Sequence, residues 1–277
     1  MKIFILCITA FLACTFFTDP LLAGSVIDRI HSSKTLVVGT PGDFPPFSVT
    51  TSSGKLIGMD IDIVKNLAAM MKVNIRFKRM EFAKLIPALQ KGKIDLAVSG
   101  ITMSPERNMQ VAFIGPYAVS GQSLLGKQSL LETITDLKQL GDAQLKIAAL
   151  KGTTSETIAD KIPRATITRT DTLDQSLMLL LDGKVDALLA DYPFCKVAEF
   201  RYPDRGIAMF DKPLTFEPLG IAAAGDDPLF LNLLTNYLSI LTGSGTLKQL
   251  QDYWFKSDEW IKKLPDVEFF KDMERVD

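Results

Sequence analysis

Residues 91–107, Lys-Gly-Lys-Ile-Asp-Leu-Ala-Val-Ser-Gly-Ile-Thr-Met-Ser-Pro-Glu-Arg, decide how this chain reads. Gly92 closes the apolar run 82–89 as a helix C-terminal glycine does. Residues 94–98 read as a short buried strand. Ser99, Gly100, Ile101 and Thr102 read as a small polar turn. Ser104 at the N-cap and Pro105 at the first helical position then open a helix. Strand, polar turn and helix start bring backbone N–H groups and a positive helix end together, which suits an anion. Arg107 falls in the first turn of that helix, where a cation opposes the macrodipole. Either Glu106 offsets it on a solvated face, or its planar fork takes a ligand carboxylate.

Outward from this stretch, strands and helices alternate. Strands are expected at 35–38, 73–77, 111–113, 123–125, 145–150, 166–168, 187–190 and 218–224, with a turn at Gly115-Pro116-Tyr117 between two of them. Helices are expected at 26–31, 59–71, 82–91, from 156, and at 172–181, 191–200, 228–241 and 246–255. Leu89-Gln-Lys-Gly-Lys-Ile-Asp95 is echoed by Leu180-Leu-Asp-Gly-Lys-Val-Asp186. Each echo is a helix end, a glycine and a strand that delivers a polar turn. The first delivers Ser99 to Arg107 and the second delivers Asp191, which a plain helix cap would equally explain. The alternation predicts an α/β fold with mostly parallel sheets flanked by helices. The spacing of the echoes predicts two lobes whose strand ends face one crevice.

Of 277 residues, 47% are hydrophobic and 23% charged, and the formal net charge is −1. That balance lacks the basic patch nucleic acid requires. Residues 1–23 read as a secretory signal peptide, with Lys2, an apolar run 3–17 and a small residue, Ala23, at the cleavage site. Lipid anchoring at Cys14 is the lesser alternative. The mature protein is expected to be exported and soluble. It keeps one cysteine, Cys195, and the chain has one histidine, His31, so neither zinc chemistry nor a Ser-His-Asp triad is expected.

Taken in order, Leu36-Val-Val-Gly-Thr40, Phe44-Pro-Pro-Phe-Ser48, Gly58-Met-Asp-Ile-Asp62, Leu85-Ile-Pro-Ala-Leu89, Gly92-Lys-Ile-Asp-Leu96, Ser99-Gly-Ile-Thr102 with Arg107, Gly152-Thr-Thr154, Val185-Asp-Ala187 with Asp191, and Glu217-Pro-Leu-Gly-Ile221 span nearly the whole mature chain. This ordered set resembles the periplasmic amino-acid-binding proteins of ABC importers, the two-lobed type II solute-binding fold. The resemblance implies that Arg107, with Gly100 and Thr102, clamps the α-carboxylate of an amino acid. It implies that Thr153, at a helix start of the other lobe, donates to the same carboxylate, with Thr154 beside it in the site. Asp191 and a Ser99 oxygen would receive the α-ammonium, and Phe44 and Phe82 would line the side-chain end. It implies chain crossings near 118–122 and 212–216, giving a first lobe of 25–118 plus 217–277 and a second of 119–216. It further implies no cofactor, no metal and no nucleic acid, a monomer in the periplasm, and an ABC permease of the inner membrane as partner.

Two departures bear on the ligand. Met59 stands where an aromatic is common, and Pro41 stands where binders of basic amino acids carry an acid. A buried cationic head needs a carboxylate, so a neutral side chain is expected unless Asp43 or Glu81 turns inward. The competing function is a prephenate/arogenate dehydratase on the same fold. Such an enzyme needs a general acid three residues beyond Asp191, and Phe194 stands there, with Glu199 too far along the helix. A receptor's sensor domain would continue into a membrane span and a signalling domain, and neither is expected.

Overall fold

Both echoed Gly-Lys-Ile/Val-Asp units fold alike. Gly92 and Gly183 end their helices with φ of 61° and 69°, a conformation that costs glycine least. The aspartates that follow do the same work in two places. Asp95 accepts the Val37 N–H at 2.8 Å, and Asp186 accepts the Lys146 N–H at 2.9 Å. Each thereby ties its own strand to the start of a neighbouring one. Asp95 also pairs with Arg29.

The computed structural model describes residues 25–134, 137–141 and 144–265. The expected signal peptide with its Cys14 alternative, and residues 266–277, lie outside the described residues.

Each unit sits in its own five-stranded sheet. The first has the order Asn74–Arg79, Thr35–Thr40, Leu96–Thr102, Glu217–Ala223, Ala112–Ser120. Its first three strands are parallel, and Glu217–Ala223 runs antiparallel to both neighbours. The second has the order Thr166–Thr170, Lys146–Leu150, Ala187–Asp191, Gln122–Lys127, Ile207–Met209, again parallel in three strands and antiparallel in the other two pairings. Three short strands, Asp43–Phe44, Ser48–Thr50 and Leu56–Ile57, form a separate antiparallel ribbon. The chain passes from the first sheet to the second at Gly121 and returns through residues 210–216.

The inner parallel strands are buried almost throughout, as strands covered on both faces must be, while the edge strands Asn74–Arg79 and Thr166–Thr170 are partly exposed. Leu36, Val38, Leu96 and Val98 are buried in the first sheet, and Ile147, Ala149, Leu188 and Leu189 in the second. Helix Met59–Met71 packs on the first sheet, and the Tyr237 hydroxyl of helix Pro228–Gly243 donates to its Ile63 carbonyl.

Three local expectations change. Ser99 to Thr102 are not a turn but the end of strand Leu96–Thr102. Gly100, at φ 56°, bends the strand without ending it, because Ile101 and Thr102 still pair with Gly220 and Leu219. Gly115-Pro116-Tyr117 is not a turn either, since Ala112–Ser120 is one strand. Pro116 survives there because the ladder shifts register opposite Gly220, where no proline N–H is needed. Residues 82–84 form a 3-10 turn before helix Leu85–Gln90 rather than one continuous helix.

Candidate functional site

Arg107 is delivered by the short helix Pro105–Asn108, whose Ser104 hydroxyl accepts the Arg107 N–H at 3.3 Å. Its guanidinium does not face solvent beside Glu106. Only 9% of the residue is exposed, and the guanidinium carbon lies 5.5 Å from the centre of the Phe82 ring. Nη1 donates to the Thr102 carbonyl at 2.9 Å, and Nη2 donates to the Gly152 carbonyl at 2.9 Å. The second bond crosses from the first sheet's lobe to the loop after strand Lys146–Leu150 of the second. Among the described residues, the remaining guanidinium N–H groups of Arg107 have no hydrogen-bond partner. Burial lowers the pKa of Arg107, while Asp191 and Glu217 hold its charge in place.

Asp191 ends the central strand of the second sheet and is 4% exposed. It stands at the N-cap of helix Tyr192–Arg201 but makes no side-chain cap bond. The carboxylate instead lies 3.3 Å from Gln122 Nε2. Burial and the nearby Glu217 push its pKa up to about 8, against the pull of Arg107 and Gln122. Opposite charges from two strand ends thus share one buried place.

The other expected residues divide. Phe82 stacks on Phe44, ring centres 5.8 Å apart, so the two form one aromatic wall beside Arg107. Thr154 belongs to the cluster, since its hydroxyl donates to Glu217 at 2.9 Å and lies 3.0 Å from Gln122 Nε2. The Thr153 hydroxyl does not join it. That hydroxyl donates to the Leu150 carbonyl at 2.6 Å and caps helix Thr154–Ala159 through the Glu156 N–H. The Thr102 hydroxyl donates to Glu217 at 2.7 Å. Gly100 offers no free donor, because its N–H is held by Asp60 at 2.8 Å. Gly100 is needed for shape, since a Cβ would sit 2.7 Å from the Phe47 ring. Ser99 is fully buried, and its hydroxyl has no hydrogen-bond partner among the described residues.

Sequence reasoning missed Gln122, Glu217 and Asp60 as parts of this site. Gln122 follows the first crossing and is fully buried, with its Oε1 accepting from Ser155 at 2.5 Å. Glu217 opens the strand after the second crossing and is 5% exposed. A polar residue beside each crossing was the available signal. Asp60 is fully buried, and desolvation pushes its pKa up to about 7 against the Tyr117 hydroxyl and the Gly100 N–H. Met59 lies in the core, fully buried. Glu81 stays partly exposed, whereas Asp43 is buried against the other lobe and burial pushes its pKa up to about 6. Asp43 accepts the Leu173 N–H of the other lobe at 2.9 Å, and Glu81 pairs with Lys84 at 2.6 Å.

The cavity beside this cluster is small, about 50 Å³, and is lined by Phe82, Ile101 and Gly152 among others. The larger groove of about 540 Å³ lies against the crossings, between Val119, Phe216 and Trp254, and includes neither Arg107 nor Asp191. The polar cluster lies outside that groove, where the loops of the two sheets meet. There a guanidinium and a carboxyl group are held apart by neutral partners, carbonyl acceptors on Arg107 and the Gln122 amide on Asp191, which suits a zwitterion. Position 194 holds a buried phenylalanine, and Glu199 is spent on the Met209 N–H at 3.1 Å. Among the described residues, no helix is long and apolar enough to cross a membrane.

The arginine-binding protein 1 of an Escherichia coli K12 ABC transporter is 29% identical over 221 residues, covering 78% of this chain and 89% of that one. The L-arginine-binding protein of Pseudomonas aeruginosa is 31% identical over 238 residues, covering 82% and 90%. An ancestral amino-acid-binding protein, a precursor of cyclohexadienyl dehydratase, superposes with a TM-score of 0.77 at 35% identity, covering 84% of this chain and all of that one. The architecture is the two-lobed type II fold of these binding proteins. The family model for bacterial extracellular solute-binding proteins, family 3, matches residues 36–257, and this chain belongs to that family.

Proposed function

We propose that this chain captures an L-α-amino acid between its two lobes and hands it to an ABC permease of the inner membrane, acting as a monomer in the periplasm. One observation carries the reading. Arg107 and Asp191 come from different lobes, are buried together, and bind neutral partners rather than each other. A zwitterion taken from water needs both charges paired, at a cost of several kcal/mol per unpaired ion. Arg107 takes the carboxylate, Asp191 the ammonium, and Phe44 with Phe82 faces the side chain. Thr154 acts at the helix start in place of Thr153, while Ser99, Gly100 and Thr102 shape the end of the first-lobe strand. The lobes divide near residues 119 and 217, and ligand enters when they part.

Relatives named for arginine, and one solved structure complexed with lysine, make cationic amino acids part of any screen. The engagement of Asp43 and Glu81 elsewhere favours a neutral side chain. The chain is a binder and not a dehydratase, a reading supported by Phe194 in place of a general acid and by relatives named for transport.

The test is a thermal-shift screen of refolded, ligand-stripped protein against the common L-amino acids. Calorimetric competition among arginine, lysine, glutamine, leucine, phenylalanine and glutamate follows. Saturable binding of at least one is expected, and no binding of any sinks the proposal. Incubation with prephenate is expected to yield no phenylpyruvate.

A further inference from the structure

One carboxylate sits where the two crossings of the chain run side by side. Glu217 pairs in register with Ser120, the last residue of strand Ala112–Ser120. Its Oε2 accepts from Thr102 Oγ1 at 2.7 Å, from Thr154 Oγ1 at 2.9 Å and from Gln122 Nε2 at 3.1 Å. Its Oε1 accepts from Thr215 Oγ1 at 3.0 Å, and that oxygen in turn accepts the Gln122 N–H at 2.9 Å. These donors have four origins: a first-lobe strand, the second-lobe helix start, and each of the two crossings. No lysine or arginine forms a salt bridge with Glu217 among the described residues.

A buried carboxylate is expensive to desolvate, and only a full set of hydrogen bonds offsets that cost. For Glu217 the set is complete only with the lobes together. Thr102 lies on the first lobe, and Thr215 and Gln122 lie beside the crossings, Gln122 as the first residue of second-sheet strand Gln122–Lys127. Thr154 stands beyond strand Lys146–Leu150 and travels with the second lobe. Parting the lobes removes the Thr154 hydroxyl and admits water. We infer that Glu217 is an interlobe latch. It is a positioning residue that receives the Thr154 hydroxyl only on closure and contributes to capture by holding the lobes together rather than by touching the amino acid. This rests on the capture of an amino acid proposed above.

The latch is tested with E217Q, which keeps the shape and loses the charge, and with T154V, which keeps the shape and loses the hydroxyl. Small-angle X-ray scattering of ligand-free protein reads the lobes without any ligand. Both variants are expected to have a larger radius of gyration than the unaltered chain. Titration with L-arginine and L-glutamine reads capture, and whichever binds the unaltered chain is expected to bind each variant about ten- to hundredfold more weakly. That is the range for one hydrogen bond to a charged group. A third reading separates a latch from mere structural damage. Glu217 and Arg107 are the charged groups that act on Asp191, so removing one negative charge moves the pH profile of binding to lower pH in E217Q but not in T154V. Should E217Q not fold, T154V decides alone. Unchanged radius and unchanged affinity in T154V overturn the latch. If neither amino acid binds the unaltered chain, the scattering still decides: a radius in T154V equal to that of the unaltered chain overturns the latch, and a larger one upholds it while the ligand reading is revised.

Discussion

Arg107→Ala is expected to abolish capture and spare the fold. Arg107 is 9% exposed, makes two hydrogen bonds to carbonyl oxygens, and stacks on Phe82. Removing one partner of a buried, hydrogen-bonded ion pair costs ~3–5 kcal/mol. At about 1.4 kcal/mol per decade that is roughly a hundred- to several-thousand-fold in affinity. The free protein loses less. The charge left behind is Asp191, whose pKa already stands at about 8, so it is relieved by taking a proton near neutrality. The Gly152 and Thr102 carbonyls lose donors but sit at an interface that water reaches when the lobes part. Arg107→Lys supplies the charge without the fork and is expected to fall between the two. Calorimetric titration with the amino acid that gives the largest thermal shift measures the loss, and circular dichroism checks the fold. A loss of less than about fivefold refutes the carboxylate clamp.

A proton and an ammonium compete for Asp191, so affinity is expected to rise with pH up to about 8 and level off above it, by at most roughly tenfold per pH unit; a flat profile of Kd against pH refutes this. Asp60 and Asp191 both have folded pKa values raised above 3.8, to about 7 and about 8, so the stability they confer is complete below 3.8 and lost as pH rises through those values. Melting temperature of the ligand-free protein is therefore expected to fall from about pH 4 to about pH 8 and to level off above that, and Asp60→Asn is expected to flatten the fall. Gly121→Ala is expected to lower the melting temperature by several degrees, because its Cβ would collide with the Thr215 carbonyl oxygen where the crossings meet, an overpacking of ~1–3 kcal/mol.

The fold was legible wherever a pattern is local. The Gly-Lys-Ile/Val-Asp echo marks equivalent corners of two sheets, because a left-handed glycine and a strand-tying aspartate are both short-range devices. Arg107 and Asp191 were legible for the same reason, as residues at the ends of strands. What failed depended on distant partners. Ser99 to Thr102 look like a turn by composition, yet strand Glu217–Ala223, over a hundred residues later, supplies the pairing that keeps them extended. Thr153 and Thr154 are identical in type and adjacent, so nothing local says which hydroxyl caps the helix and which crosses to Glu217. Gln122 and Glu217 carry no motif at all, and their roles arise because two crossings distant in sequence are neighbours in space.

The three buried groups of the cluster are satisfied to different degrees, and that difference gives the cluster a direction. Glu217 receives hydrogen bonds from four side chains and has little to gain from a ligand. Asp191 has one side-chain donor, at 3.3 Å, that Gln122 shares with Thr154 and Glu217. Arg107 donates to two neutral carbonyls, bonds weaker than a charged fork onto carboxylate. An incoming ammonium thus improves the least satisfied anion, and an incoming carboxylate improves on the arginine's neutral partners. Had Arg107 paired directly with Asp191, a zwitterion would have had to break a buried ion pair before making two new ones. Glu217, by lying near both, keeps Asp191 from settling as a comfortable anion. A site that is well ordered yet electrostatically incomplete favours the bound, closed form over the open one, as capture between two lobes requires.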